Sequence, residues 1–102
     1  MKLILKDGTE FECASLYQNH TINHAEEEYY QDGCSIKFDL PEHPQELYSS
    51  LKEKFTEDNI SNITVVTTFG GVDIQTTYSF SKVVSLAMSL RDGIGLIEAY
   101  LI

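Results

Sequence analysis

Basic residues are scarce in this chain. Seven lysines and arginines stand against sixteen aspartates and glutamates, a formal charge of −9 with histidine neutral. A field of that sign repels nucleic acid and anionic membrane and favours a basic protein partner, so direct nucleic-acid binding is not expected. Long apolar runs are missing as well. None approaches the roughly 20 residues that a membrane span requires. The opening MKLILKDG reaches Lys6 and Asp7 too soon for a signal peptide, so synthesis and residence inside a cell are expected. Cysteines number two, Cys13 and Cys34. They form no C-x-x-C unit, and free thiols on strands are the reading. A disulfide would require their Cα atoms to lie within about 7 Å.

Several chemical signatures are absent. No glycine-rich phosphate cradle follows a strand, no G-x-S-x-G surrounds a serine, and H-E-x-x-H does not occur. No enzyme and no cofactor are expected on these grounds. The one metal-like pattern is the His20 and His24 pair, four residues apart, with His43 and three glutamates further on. Such a spacing could bind zinc on a helix, but the residues before Ala25 do not read as helical.

What the chain does contain is hairpin pattern. Its centre is ITVVTTFGGVDIQTTYSF, Ile63 to Phe80, turning on Gly70-Gly71. Two adjacent glycines suit a two-residue turn, whose central residues both need positive φ. That turn pairs Phe69 with Val72, Thr67 with Ile74, Val65 with Thr76 and Ile63 with Tyr78. One face then carries Ile63, Val65, Thr67, Phe69, Val72, Ile74, Thr76, Tyr78 and Phe80, and is expected to be buried. The other carries Thr64, Val66, Thr68, Asp73, Gln75, Thr77 and Ser79.

The remaining elements follow in order. Met1 to Leu16 reads as a first hairpin. A bulged turn over Leu5-Lys6-Asp7-Gly8 pairs Leu3 with Phe11 and Lys2 with Glu12, apolar against apolar and base against acid. Tyr17 to Gly33 reads as a long polar loop with a short strand near Thr21-Ile22. Cys34 to Leu40 alternates as a third strand, which Pro41 and Pro44 end. One helix is expected from about Pro44 to Glu57, with Leu47, Leu51 and Phe55 as its apolar stripe and Asn59 as a C-terminal cap. The stripe is expected to pack on the central hairpin. Lys82 to Leu90 and Leu96 to Ile102 form a last hairpin, with Met88 opposite either Ile97 or Leu96. The expected fold is a single α+β domain over 1–102: an antiparallel sheet of six to seven strands in hairpins, order β-β-β-α-β-β-β-β, with one amphipathic helix on one face.

For function, the polar segment stands out. Ten acids and three bases lie between Glu26 and Asp58, a net of −7 that leaves −2 for the rest of the chain. Glu26, Glu27, Glu28, Tyr29, Tyr30 and Asp32 place carboxylates beside tyrosines. The rings supply contact area at low entropic cost, and the acids select a basic partner. These six are the candidate partner-binding residues. The apolar LIEAYLI would be an aggregation hazard at an exposed edge, so it is expected to be paired internally or with a second subunit, and a homo-oligomer is anticipated.

The opening M-K-L-x-L-K-D-G-T-E-F-E hairpin resembles small uncharacterised proteins of phages and prophages of Gram-positive bacteria, many from tail and baseplate genes. So do the helix Glu46, Leu47, Leu51, Phe55, then Asn59, Ile60, Ser61, Ile63, Thr64, and the later Tyr78, Lys82, Val83, Ser85, Leu86. Tyr17 to Gly33 lies outside the shared pattern. The resemblance implies a non-enzymatic protein acting through protein contacts in a host bacterial cytoplasm, or incorporated in a virion as a tail or baseplate component. The alternative is a phage-encoded inhibitor of host defence, anti-CRISPR-like, whose acidic surface blocks a basic nucleic-acid channel.

Overall fold

Turn chemistry builds the first and central hairpins as read from sequence. In the computed structural model, which describes residues 1–24, 28–91 and 93–102, and of residues 19–24, 28–32, 91 and 94 the backbone alone, β1 (Lys2–Ile4) and β2 (Glu10–Glu12) pair Leu3 with Phe11 and Lys2 with Glu12. Gly8 takes φ +90°, and the Leu5 carbonyl accepts from its N–H at 2.9 Å, so the bulged register forms. β5 (Ile63–Phe69) and β6 (Val72–Tyr78) turn on Gly70 and Gly71, both at positive φ, with Phe69 opposite Val72 and Ile63 opposite Tyr78. β7 (Val83–Arg91) and β8 (Ile94–Leu101) pair Met88 with Ile97, the tighter of the two registers.

The expected single sheet is instead two. Strands β2-β1-β5-β6 form one four-stranded antiparallel sheet. The other is β3-β4-β8-β7, in which β3 spans Ser15–His24 and β4 spans Glu28–Asp39. The division falls at Cys13 and Ala14. The Cys13 N–H donates to the Met1 carbonyl in the first sheet, and the Ala14 N–H donates to the Lys37 carbonyl in the second. Two residues thus carry the chain across the sandwich. β8 lies between β4 and β7, so the apolar LIEAYLI is a central strand paired on both sides.

The polar segment from Tyr17 to Gly33 is not a loop. Its described part continues β3 and extends β4 well upstream of Cys34, with Asn23 opposite Tyr29 and His24 opposite Glu28. β8 reaches β4 only from Cys34 to Asp39. Beyond that point β3 and β4 continue as a two-stranded ribbon. The segment does not alternate apolar and polar residues, the usual mark of a strand, which is why its sequence reads as loop.

One hydrophobic cluster joins both sheets and the helices. Leu3, Phe11, Ile63 and Val65 come from one sheet, Ile36, Phe38, Ile97, Ala99 and Leu101 from the other, and Leu51, Phe55 and Ile60 from the helical segment. At its heart Phe11, Phe38 and Phe55 meet edge to face, with ring centroids 6.1 to 6.4 Å apart. The stripe of Leu47, Leu51 and Phe55 therefore packs where the sheets meet, and not on the central hairpin alone.

The helix ends sooner than expected. α1 covers Pro44–Lys54, with Pro44 in its first turn and Lys52 and Lys54 in its last. Phe55 leaves helical geometry to enter the aromatic cluster, and Thr56 is extended. The Thr56 hydroxyl then accepts the Asn59 N–H at 3.3 Å, capping a second short helix, α2 (Glu57–Ile60). A threonine hydroxyl competes well for such an N–H, which explains the break. Asn59 lies inside α2, where its side chain is buried and faces Asp7. It does not cap α1.

A candidate interaction surface

The central hairpin carries more apolar surface than the core can cover. Ile63, Val65 and Phe80 are buried, but Phe69, Val72 and Ile74 are 75, 63 and 51 % exposed. All three stand on the face that was expected to be buried throughout. The sandwich ends near Val65, so the last turn of the hairpin extends past it. Single exposed apolar residues are ordinary on a protein surface. Three adjacent ones at the tip of one hairpin form a patch of the kind that meets other molecules. The sequence signal was present, since Phe69 and Val72 flank the turn itself. Strand alternation cannot say where a core stops.

On the opposite face of the same sheet is a shallow, polar groove of about 380 Å³, lined by Lys2, Glu12, Val66, Thr68 and Asp73 among others. Lys2 and Glu10 approach to 3.6 Å, and the amino group of Met1 lies 3.7 Å from Glu12. Thr68 donates to Asp73 at 2.7 Å. These exposed groups pair with one another.

The six residues singled out from the sequence fall on or near the ribbon. Glu26 and Glu27 lie outside the described residues. Glu28, Tyr29, Tyr30 and Asp32 are on β4, upstream of its pairing with β8. The backbone thus puts these four on a structured ribbon where a loop was expected. His20 and His24 both belong to β3. On a strand four residues span about 13 Å, so the two are not brought together as one helical turn would bring them. Among the described residues no three His, Cys, Asp or Glu side chains converge on a metal-sized point.

The two cysteines are free and both are buried. Burial, with a smaller contribution from the neighbouring Cys13, pushes the Cys34 thiol up to about 12. Burial raises the Cys13 thiol as well. Cys13 borders a recess of about 350 Å³ with Glu12, Asp39 and Leu47. Acidic neighbours and an apolar wall oppose the thiolate form, so neither cysteine is set up as a nucleophile at neutral pH. On β8 the buried Glu98 accepts the Tyr100 hydroxyl at 2.8 Å.

No helix among the described residues is long and apolar enough to cross a membrane. Comparison of the chain with protein-family models, with curated proteins and with solved structures finds no match.

Proposed function

We propose that this chain is a non-enzymatic protein that works through protein–protein contacts, encoded by a phage or prophage and assembled into the tail or baseplate of a virion. The observation that carries the contact reading is the exposed apolar tip of the β5–β6 hairpin, Phe69, Val72 and Ile74. The resemblance of the opening hairpin and of the Glu46 to Leu86 pattern to phage tail-region proteins supports the virion setting. Mass spectrometry of virions purified after induction of a lysogen encoding the chain is the test. The chain should be present in copies comparable to other tail proteins. Its absence from intact particles sinks the virion reading.

A second reading rests on charge. The −7 carried between Glu26 and Asp58 suits a defence inhibitor that fills a basic nucleic-acid channel, in the manner of an anti-CRISPR protein. Such binding should weaken steeply with salt, and the triple change Glu26→Ala, Glu27→Ala, Glu28→Ala should weaken it further. Binding to the effector that is unmoved by either rules out charge mimicry.

A further inference from the structure

The two sheets expose four edge strands, and three of them carry a device against pairing with another chain. β2 has three residues, two of them glutamates. β3 has register irregularities on either side of His20. β7 has a register shift between Val83 and Ser85, and it is bounded by Lys82 and Arg91. Short edges, bulges and edge charges all discourage strand addition. The fourth edge, β6, is neither short nor bulged, and its one charge is Asp73. Its seven-residue ladder to β5 is unbroken, and it contains neither lysine nor proline. Residues 59–81 hold a single charge, Asp73, in a chain of −9.

The hairpin turn also determines which backbone groups of β6 are free. The turn bond joins the Phe69 carbonyl to the Val72 N–H. Alternation along an antiparallel ladder then aims the groups of Val72, Ile74, Thr76 and Tyr78 at β5, and those of Asp73, Gln75 and Thr77 away from it. Among the described residues no backbone partner reaches these outward groups.

We propose that β6 pairs with β6 of a second copy of this chain, antiparallel, about a two-fold axis at Gln75. Gln75 is the midpoint of β6, so this register overlaps all seven residues, a seam of about 24 Å. Gln75 meets its own symmetry mate, and Asp73 meets Thr77. Each is a hydrogen-bonding pair, so three donors and three acceptors of each copy are satisfied. The charges also select this register over its neighbours. An axis at Asp73 would set two carboxylates face to face, whereas an axis at Gln75 sets none. On the apolar face Val72 comes to lie across from the partner's Tyr78, and Ile74 across from its Thr76. β6 itself holds one charge, Asp73, so the paired strands bring few of the −9 charges of each copy into the seam. The result is one continuous eight-stranded sheet, and the seam covers part of the apolar tip.

This inference rests on reading the β5–β6 hairpin as a contact surface, and its test separates the two. Sedimentation equilibrium from about 5 to about 500 µM brackets the affinity of an interface this small. A dimer of the 11.5 kDa chain is expected. Gln75→Cys should form a disulfide-linked dimer under mild oxidation, because the axis brings the two positions together while Cys13 and Cys34 stay buried. Gln75→Lys places like charges on the axis and should weaken dimerisation by about tenfold or more. Ser50→Lys, which makes the same charge change on the exposed side of α1, should not. A monomer at every concentration overturns the proposal. So does a dimer that Gln75→Cys fails to link and Gln75→Lys fails to weaken. A monomeric chain that is nevertheless built into virions overturns self-pairing alone.

Discussion

Asp7 and Asn59 clasp each other across fifty-two residues of chain. The Asp7 N–H donates to Asn59 Oδ1 at 3.2 Å, and Asn59 Nδ2 donates back to Asp7 Oδ2 at 3.1 Å. Asn59 Nδ2 also reaches the Lys54 carbonyl at 2.9 Å, and the Asn59 carbonyl accepts the Lys6 N–H. The turn of the first hairpin is thereby fastened to the junction of the two helices. Removing the amide leaves the Lys54 carbonyl and the Asp7 N–H without it in a part-buried site. Asn59→Ala should cost about 2 kcal/mol, read as a lower denaturation midpoint with an unchanged slope in urea.

The same clasp makes stability depend on acid. The Asp7 carboxyl is held well below the usual carboxylate range, first by hydrogen bonds from Thr9, then by Asn59 and Lys54. A folded-state value below the unfolded one adds stability that is fully present above about pH 4. It is lost as the pH falls toward the folded-state value. Wild type should therefore exceed Asp7→Ala in melting temperature at pH 7, and the gap should narrow below pH 4. A gap that stays constant to pH 2 would show that the carboxylate charge contributes nothing.

The aromatic junction is expected to be the costliest place to cut. Phe38 is buried and touches both Phe11 and Phe55. Phe38→Ala removes a full ring between two sheets and should cost about 3–5 kcal/mol. For a domain of this size that leaves little or no stability, so the variant should be aggregated or molten by near-UV circular dichroism. Phe38→Leu should retain a cooperative transition at a lower midpoint.

Both thiols should be slow to react while the fold persists. With Cys13 and Cys34 buried and their thiols raised, a thiol-exchange reagent at pH 7 should label the native protein on the order of a hundredfold more slowly than the urea-unfolded chain. Rapid labelling of one cysteine in the native state would mark local opening at the Cys13–Ala14 crossing.

Local chemistry was readable in the sequence and long-range pairing was not. Gly8 and the Gly70-Gly71 pair determine their hairpins within a few residues, and both registers follow from matching neighbours across a turn. The division into two sheets depends on β1 meeting β5 and β4 meeting β8. No turn dictates those pairings. Thr56 looked like a helix residue until the structure placed Asn59 within reach of its hydroxyl and of Asp7. The acids and tyrosines of the polar segment are legible as chemistry, but the ribbon that carries four of them is hidden by its own polarity. The tip at Phe69, Val72 and Ile74 reads as core in the sequence and is exposed in the structure, because alternation gives a side chain its face but not its depth.

The order in which the strands enter the two sheets has a consequence for how the molecule comes together. The chain delivers β1 and β2 to the first sheet, β3 and β4 to the second, then returns to the first with β5 and β6 and to the second with β7 and β8. The two layers are interleaved along the polypeptide, and each waits for strands made after the other has begun. Neither layer is continuous in sequence, and no single cut separates them. Both also require pairings that span some sixty residues, since Leu3 meets Val65 and Ile36 meets Ala99. Closing such loops before any contact repays the entropy is slow. The chain should fold in milliseconds to seconds, in one cooperative step that gains both layers together.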